Sequence, residues 1–233
     1  MGRLFDAINK DFRYQEALKS CMNCGVCTAI CPAAEFYKYE PRKICNIIQQ
    51  QEEEEIENLL QSDAIWYCGQ CMSCKTRCPR GNAAGSLISV LRKISQEMGF
   101  FTHSEKGRQQ LAIKRVIGEG ILQRGYCVHP DILDPDIHPE QGPVWAWFKE
   151  NIEDVCQKVG ANYKKDGAGA LRQIEQKNLD ELKKIFEVTG ASKLFETIET
   201  HSKTKSEEMN LGFENSDEYL MHILTKNSGN HTI

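Results

Sequence analysis

Cys21, Cys24, Cys27 and Cys31 form one run that closes on Pro32, and Cys68, Cys71, Cys74 and Cys78 repeat it before Pro79. Each run reads C-x2-C-x2-C-x3-C-P. Thiolates are soft ligands, and this spacing wraps a short loop around a cubane of iron and sulfide. Three thiolates converge on three irons, while the fourth points away and ligates a neighbouring cubane. Two copies therefore predict two [4Fe–4S] clusters with exchanged ligands. Cys21, Cys24, Cys27 and Cys78 would hold the first; Cys68, Cys71, Cys74 and Cys31 would hold the second.

Other uses of cysteine fit the pattern less well. Structural zinc takes four ligands, usually as two separated pairs, and does not ask for three evenly spaced cysteines plus a fourth before proline. Disulfides would leave one of the eleven cysteines over, and Met1–Lys10 does not read as a signal peptide. Radical chemistry on S-adenosylmethionine would show a C-x3-C-x2-C run, which neither segment has. A module whose metal only staples helices together stays open as an alternative of another class.

What is missing narrows the function. No G-x-G-x-x-G follows a strand, there is no P-loop, and no two cysteines are adjacent. No residue is assigned a catalytic role, and the chain reads as wiring that moves electrons between other proteins. Charged residues make up 27% of the 233 and the net charge is −4, which argues against nucleic acid as a partner. No apolar stretch approaches the roughly 20 residues that span a bilayer, so a cytoplasmic setting, where thiols stay reduced, is expected.

The elements that must position the thiols read as helices. Leu4, Ile8, Phe12 and Leu18 mark one face of a segment leading into the first run. After Phe36, Tyr37 and Tyr39, Pro41 suits a first helical position, with Ile44, Ile47 and Ile48 following at helical spacing. Cys45 is expected to be a small buried residue of that helix. Glu52–Glu55 reads as a solvated face, and Ile56, Leu59 and Leu60 continue inward toward Trp66. Asn82 is positioned to cap a helix that buries Leu87, Ile88, Leu91 and Ile94 and ends at Gly99. No hairpin signal interrupts the spacer Pro32–Tyr67. The expected fold is all-α: a helical ferredoxin-type domain over residues 1–100, built as a loop-then-helix pseudo-repeat, plus a C-terminal helical extension.

That extension, residues 101–200, is expected to bind partners. Ser104 would cap a helix carrying Leu111, Val116 and Ile117, and the prolines of His129–Pro143 mark a loop. Trp145, Phe148, Ile152, Val155 and Val159 predict one amphipathic helix. Leu179, Leu182, Ile185 and Phe186 predict another, ended by Gly190. Residues 201–233 read as a polar tail, mobile or held by a partner. Cys127 and Cys156 lack a second ligand pair at metal spacing.

Within the runs, Gly25 and Gly69 permit tight turns that bring N–H groups toward sulfide. The first run carries no charge, whereas Lys75, Arg77 and Arg80 lie in or just past the second. Positive charge favours a reduced cluster, which predicts the higher potential for the second one.

Both runs, Cys21-Met-Asn-Cys-Gly-Val-Cys and Tyr67-Cys-Gly-Gln-Cys-Met-Ser-Cys, resemble the C subunit of heterodisulfide reductases over residues 15–100. The segments Gly169-Ala-Leu-Arg and Leu179-Asp-Glu-Leu-Lys-Lys-Ile-Phe-Glu-Val-Thr-Gly are similar to the extended C subunit of the sulfur-oxidising, heterodisulfide-reductase-like complex. The resemblance implies a flavin-bearing A subunit and a B subunit with CCG motifs as partners, the latter doing the disulfide or sulfur chemistry, and indirectly a sulfur-carrier protein. It implies an electron-transfer subunit working in cytoplasmic sulfur oxidation. The iron–sulfur subunit of a flavin dehydrogenase, of glycolate or succinate type, is the second reading.

Overall fold

In the computed structural model, residues 2–18, 20–132, 135 and 142–226 are described. Among them there is no strand: the fold is all-α, as expected. No helix among the described residues is long and apolar enough to cross a membrane. The chain divides into two compact units, Met1–Arg108 and Gln109–Ile233.

The first unit opens with α1 (Arg3–Lys10) and α2 (Phe12–Ala17), broken at Asp11. Asp11 has an extended backbone and its carboxylate accepts the Arg13 N–H at 3.0 Å. This cap restarts the helix and shifts its phase. Phe12 is consequently 77% exposed, and Phe5 takes its expected place beside Leu4 and Ile8 in the core. Two short helices follow, α3 (Val26–Ala29) and α4 (Ala33–Phe36). Next come α5 (Pro41–Gln50) and α6 (Glu53–Gln61). Then α7 (Ser73–Arg77) leads to α8 (Ala84–Glu97), after which Gly99 turns the chain with a positive φ. The inward stripes are Ile44, Cys45 and Ile48 on α5, Ile56, Leu59 and Leu60 on α6, and Leu87, Ile88, Leu91 and Ile94 on α8; together with α1 they form one core.

Glu53 departs from the expected solvated face. Its carboxylate turns back to accept the N–H groups of Leu4 (2.9 Å) and Phe5 (3.0 Å), two donors that the first turn of α1 leaves without helical partners. Gly2 makes room: a Cβ there would lie 2.0 Å from the Glu53 carboxyl carbon.

The second unit begins with α10 (Gln110–Ala112), following α9 (Glu105–Arg108) of the first unit. A π-helical stretch, Ile113–Gly118, joins α10 to α11 (Glu119–Arg124). Ser104 does cap, accepting the Gly107 N–H at 3.1 Å. Most of the proline-rich segment, at 133, 134 and 136–141, lies outside the described residues. The expected single helix around Trp145 is two, α12 (Pro143–Glu150) and α13 (Ile152–Lys158), split at Asn151. Trp145 stacks on Phe148 at 4.9 Å while Trp147 is exposed. α14 (Gln176–Val188) buries Leu179 but leaves Ile185 exposed. The segment read as a polar tail is helical through residue 225: α15 (Ala191–Met209) runs past residue 201, and α16 (Ser216–Thr225) buries Tyr219 and Ile223. Ion pairs hold these last helices to the π-helical segment, from Lys114 to Glu199 (3.0 Å), from Arg115 to Glu199, and from Arg115 to Asp217 (2.8 Å). Burial alone would raise the Glu199 carboxyl, but hydrogen bonds from Arg115 and Lys114 outweigh it and hold it below the usual range.

Candidate metal centre

The two cysteine runs repeat one another position by position along the backbone. Two residues past the first cysteine, Asn23 (φ 55°) and Gln70 (φ 53°) are left-handed. Two further on, Gly25 (φ 84°) and Met72 (φ 60°) are left-handed too, and each precedes a short helix, α3 or α7. Gly25 thus serves as expected. Its counterpart in the repeat is Met72 rather than Gly69, a position where a side chain costs about 1–2 kcal/mol.

Each run is tied to the long helix that follows it. Asn23 donates to Gln49 (3.0 Å) on α5, and Gln70 donates to Ser89 (2.8 Å) on α8. Gln49 returns a bond to the Cys21 carbonyl (3.0 Å). Arg92 of α8 donates to the carbonyls of Ile65 (2.7 Å), Trp66 (2.9 Å) and Cys68 (2.6 Å), with its guanidinium 5.5 Å from the Trp66 ring centroid. Sequence reasoning missed Arg92. The available signal was its position four residues after Ile88, on the inward stripe of α8, where a charged residue needs a reason.

These ties leave two cavities. One, of about 420 Å³ and open to solvent, is lined by Cys21, Cys24, Cys27 and Cys78. The other, of about 380 Å³, is lined by Cys31, Cys68, Cys71 and Cys74. The fourth cysteine of each run therefore lies at the cavity of the other run. Cys74 and Ala84 line both, so the cavities share a wall. Cys45 is buried as expected but also lines the first cavity. All eleven thiols are free of disulfides; Cys24 and Cys71, the second of each run, are exposed, and the other six of the runs are half-buried.

The surroundings fit a sulfide-rich group. Among the described residues, no three His, Cys, Asp or Glu side chains crowd around a single point, and the thiols ring volumes instead. Backbone N–H groups already aim at sulfur, Gln70 at Cys68 and Gly85 at Cys74, both 3.4 Å. Gly85 keeps its wall clear, for a Cβ there would sit 3.1 Å from the Met72 sulfur and 3.7 Å from that of Cys74. Burial pushes the Cys27 and Cys74 thiols up and Cys45 further, while the Ser73 hydroxyl pulls Cys71 down. A thiolate in such a half-buried position is favoured by a positive centre beside it, and iron supplies one.

Two buried donors at these cavities lack an oxygen or nitrogen acceptor. Asn82 does not cap α8, whose N-cap is Ala83; its oxygen accepts the Ser20 N–H at 3.3 Å. Because a backbone N–H can only donate, that bond fixes which end of the amide is nitrogen, and this nitrogen, at the first cavity, is unbonded. Tyr39, 3% exposed, lines the second cavity, its hydroxyl without an oxygen or nitrogen acceptor and beside the Cys68 thiol. Burial raises the Tyr39 phenol, and the neighbouring Cys68 and Cys31 add to that.

The expected charge pattern is altered. Lys75 and Arg77 are exposed and do not line the second cavity, whereas Arg80 lines the first, with Arg42. Arg92 is the half-buried positive charge set against the second run.

In the second unit a cleft of about 760 Å³ is lined by Arg124, His129, Lys164 and Arg172 among others. His129 is buried there, its Nδ1 accepting the Asp131 N–H at 3.3 Å, and Cys127 is exposed and does not line the cleft.

Residues 17–82 match the family described as "4Fe-4S dicluster domain", so two clusters are the cofactors of this unit. Three archaeal proteins are similar over longer stretches. The C subunit of the ferredoxin:CoB-CoM heterodisulfide reductase of Methanosarcina acetivorans is 28% identical over 228 residues, 93% of this chain and 88% of that one. The second iron-sulfur C subunit of the CoB–CoM heterodisulfide reductase of Methanocaldococcus jannaschii is 34% identical over 145 residues, 60% of this chain and 71% of that one. The corresponding C subunit of Methanopyrus kandleri is 27% identical over 169 residues, 70% and 82%.

Proposed function

This chain belongs to the family of heterodisulfide reductase C subunits, and on that footing we propose that it relays single electrons between a flavin-bearing A subunit and a B subunit with CCG motifs. It is an iron–sulfur electron-transfer subunit of a heterodisulfide-reductase-type complex. A [4Fe–4S] cluster, when bound, takes up and gives back one electron at a time.

The single observation that carries the relay is the pair of thiol-ringed cavities with a common wall at Cys74 and Ala84. Cys21, Cys24, Cys27 and Cys78 hold one cluster in this reading, and Cys31, Cys68, Cys71 and Cys74 hold the other. The half-buried thiols and the apolar residues behind them keep water off the inner faces. Exposed Cys24 and Cys71 leave one corner of each site near the surface, where partners exchange electrons. The disulfide chemistry belongs to the B subunit, and this chain acts in the cytoplasm, where free thiols persist.

Two settings supply the final substrate: sulfane sulfur in a sulfur oxidiser, or a heterodisulfide of the CoB–CoM kind. The length of the C-terminal half does not favour the first, because the M. acetivorans protein matches nearly the whole chain and its name gives the second. The test is anaerobic co-purification of the chain with its neighbours. About eight irons and eight sulfides per chain and a CCG-bearing partner are expected. Zinc in place of iron would reduce the chain to a stapled module, and a hydroxyacid-oxidising flavoprotein as sole partner would give the dehydrogenase reading.

A further inference from the structure

We infer that Asn82 and Tyr39 are tuning residues, one for each cluster: the Asn82 amide N–H donates to a sulfur of the first cluster and the Tyr39 hydroxyl to a sulfur of the second. This rests on the reading that the eight thiols hold two clusters as assigned above. Both groups are more than nine-tenths buried and both line a thiol-ringed cavity; the Asn82 nitrogen has no acceptor in the protein, and the Tyr39 hydroxyl has no oxygen or nitrogen acceptor, only the Cys68 thiol beside it. Leaving a buried donor unpaired costs about 1–3 kcal/mol, so each position requires an acceptor in its cavity. Water can serve these donors only while the cavities are empty; a cluster that fills them displaces it and brings sulfide and thiolate as acceptors to the same place.

The geometry also sets the direction. A donor to sulfur stabilises the reduced, more negative cluster and raises its potential. Asn82 is held for this task by Ser20, the residue just before the first ligand, so its nitrogen is fixed by the loop it serves. Tyr39 is held by its edge-to-face packing on Tyr67, the residue just before the first ligand of the second run, with ring centroids 6.1 Å apart. The donor for each cluster is thus braced against the start of that cluster's own loop.

The test is a redox titration of the full chain, loaded anaerobically, followed by EPR. Tyr39→Phe keeps the ring and removes only the donor. Asn82→Asp keeps the oxygen that Ser20 needs and removes the N–H. Each variant should lower one midpoint, changing the reduced-to-oxidised ratio of that cluster at fixed potential by about tenfold, or about 59 mV. The two variants should act on different clusters. Because Asn82→Asp also adds charge, pulsed EPR in deuterated buffer gives a second readout: each variant should erase one exchangeable proton coupling at its own cluster. Full iron and sulfide with unmoved midpoints and unchanged couplings would overturn the assignment, as would both variants acting on one cluster. A wild-type chain that takes up no clusters would sink the two-cluster reading itself, and this one with it.

Discussion

Gln49 and Arg92 occupy equivalent places in the two halves of the first unit: Gln49 donates to the carbonyl of Cys21 at 3.0 Å as Arg92 donates to that of Cys68 at 2.6 Å. In each case the helix after a cysteine loop reaches back and fixes the carbonyl of the loop's first thiol. Arg92 carries more, since the same guanidinium also serves Ile65 and Trp66.

Replacing Arg92 by Met would leave three carbonyls without these donors. The expected cost is about 2–4 kcal/mol, with faster loss of iron from the second site. Arg92→Lys should recover only part of it, because an ammonium cannot span three acceptors as a planar fork does. Anaerobic urea unfolding and the rate of iron release to a chelator measure both.

The proposed exchange of the fourth ligand, with each cluster assigned to the thiols of its cavity, makes an unusual forecast. Cys31→Ala, a change in the first run, should impair the cluster held by Cys68, Cys71 and Cys74. Cys78→Ala should impair the one held by Cys21, Cys24 and Cys27. EPR of each variant at graded reduction identifies the surviving signal, and loss of the cluster in the mutated run itself would refute the exchange.

Glu53 gives a prediction about the fold alone. Its carboxylate lies below the usual range because the Leu4 and Phe5 N–H groups bind the anion. Glu53→Gln should cost about 1 kcal/mol at neutral pH. Gly2→Val should cost at least as much, since it drives the carboxylate off those donors. Both are read by urea unfolding. If the two losses add in the double variant, the cap is not shared and the account fails.

His129 makes the second unit sensitive to mild acid. Burial lowers its pKa, outweighing the pull of Asp131, and Arg124 and Lys164 act in the same direction as burial. The folded chain thus keeps the imidazole neutral while the unfolded chain takes a proton near pH 6.5. Stability contributed here is complete above that pH and falls as pH drops toward the folded value. Thermal unfolding compared at about pH 7.5 and 5.5 should show a decline in the wild type that His129→Gln flattens.

How much of this was legible in the sequence differs by element. The inward stripes of α5, α6 and α8 were readable because aliphatic residues recur in them at helical spacing. Phe12 misled because one capping carboxylate, Asp11, reset the helical phase, an effect that periodicity cannot register. Glu53 looked solvated because its partners are 48 and 49 residues away. Asn82 had the right composition for a cap, yet Ser20, 62 residues distant, claims its oxygen. The spacing alone named the eight thiols that line the two cavities; Arg92, Tyr39 and the unbonded Asn82 nitrogen could not be recognised until the helices were folded together.

The second cysteine of each run, Cys24 and Cys71, lies at the surface while its companions are half-buried. A window of that kind is indifferent to what passes through it. Where an electron can hop out to a docked neighbour, dioxygen can collide with the same corner when the neighbour is gone. The chain should therefore survive air longest inside its complex, and damage should begin at those two thiols.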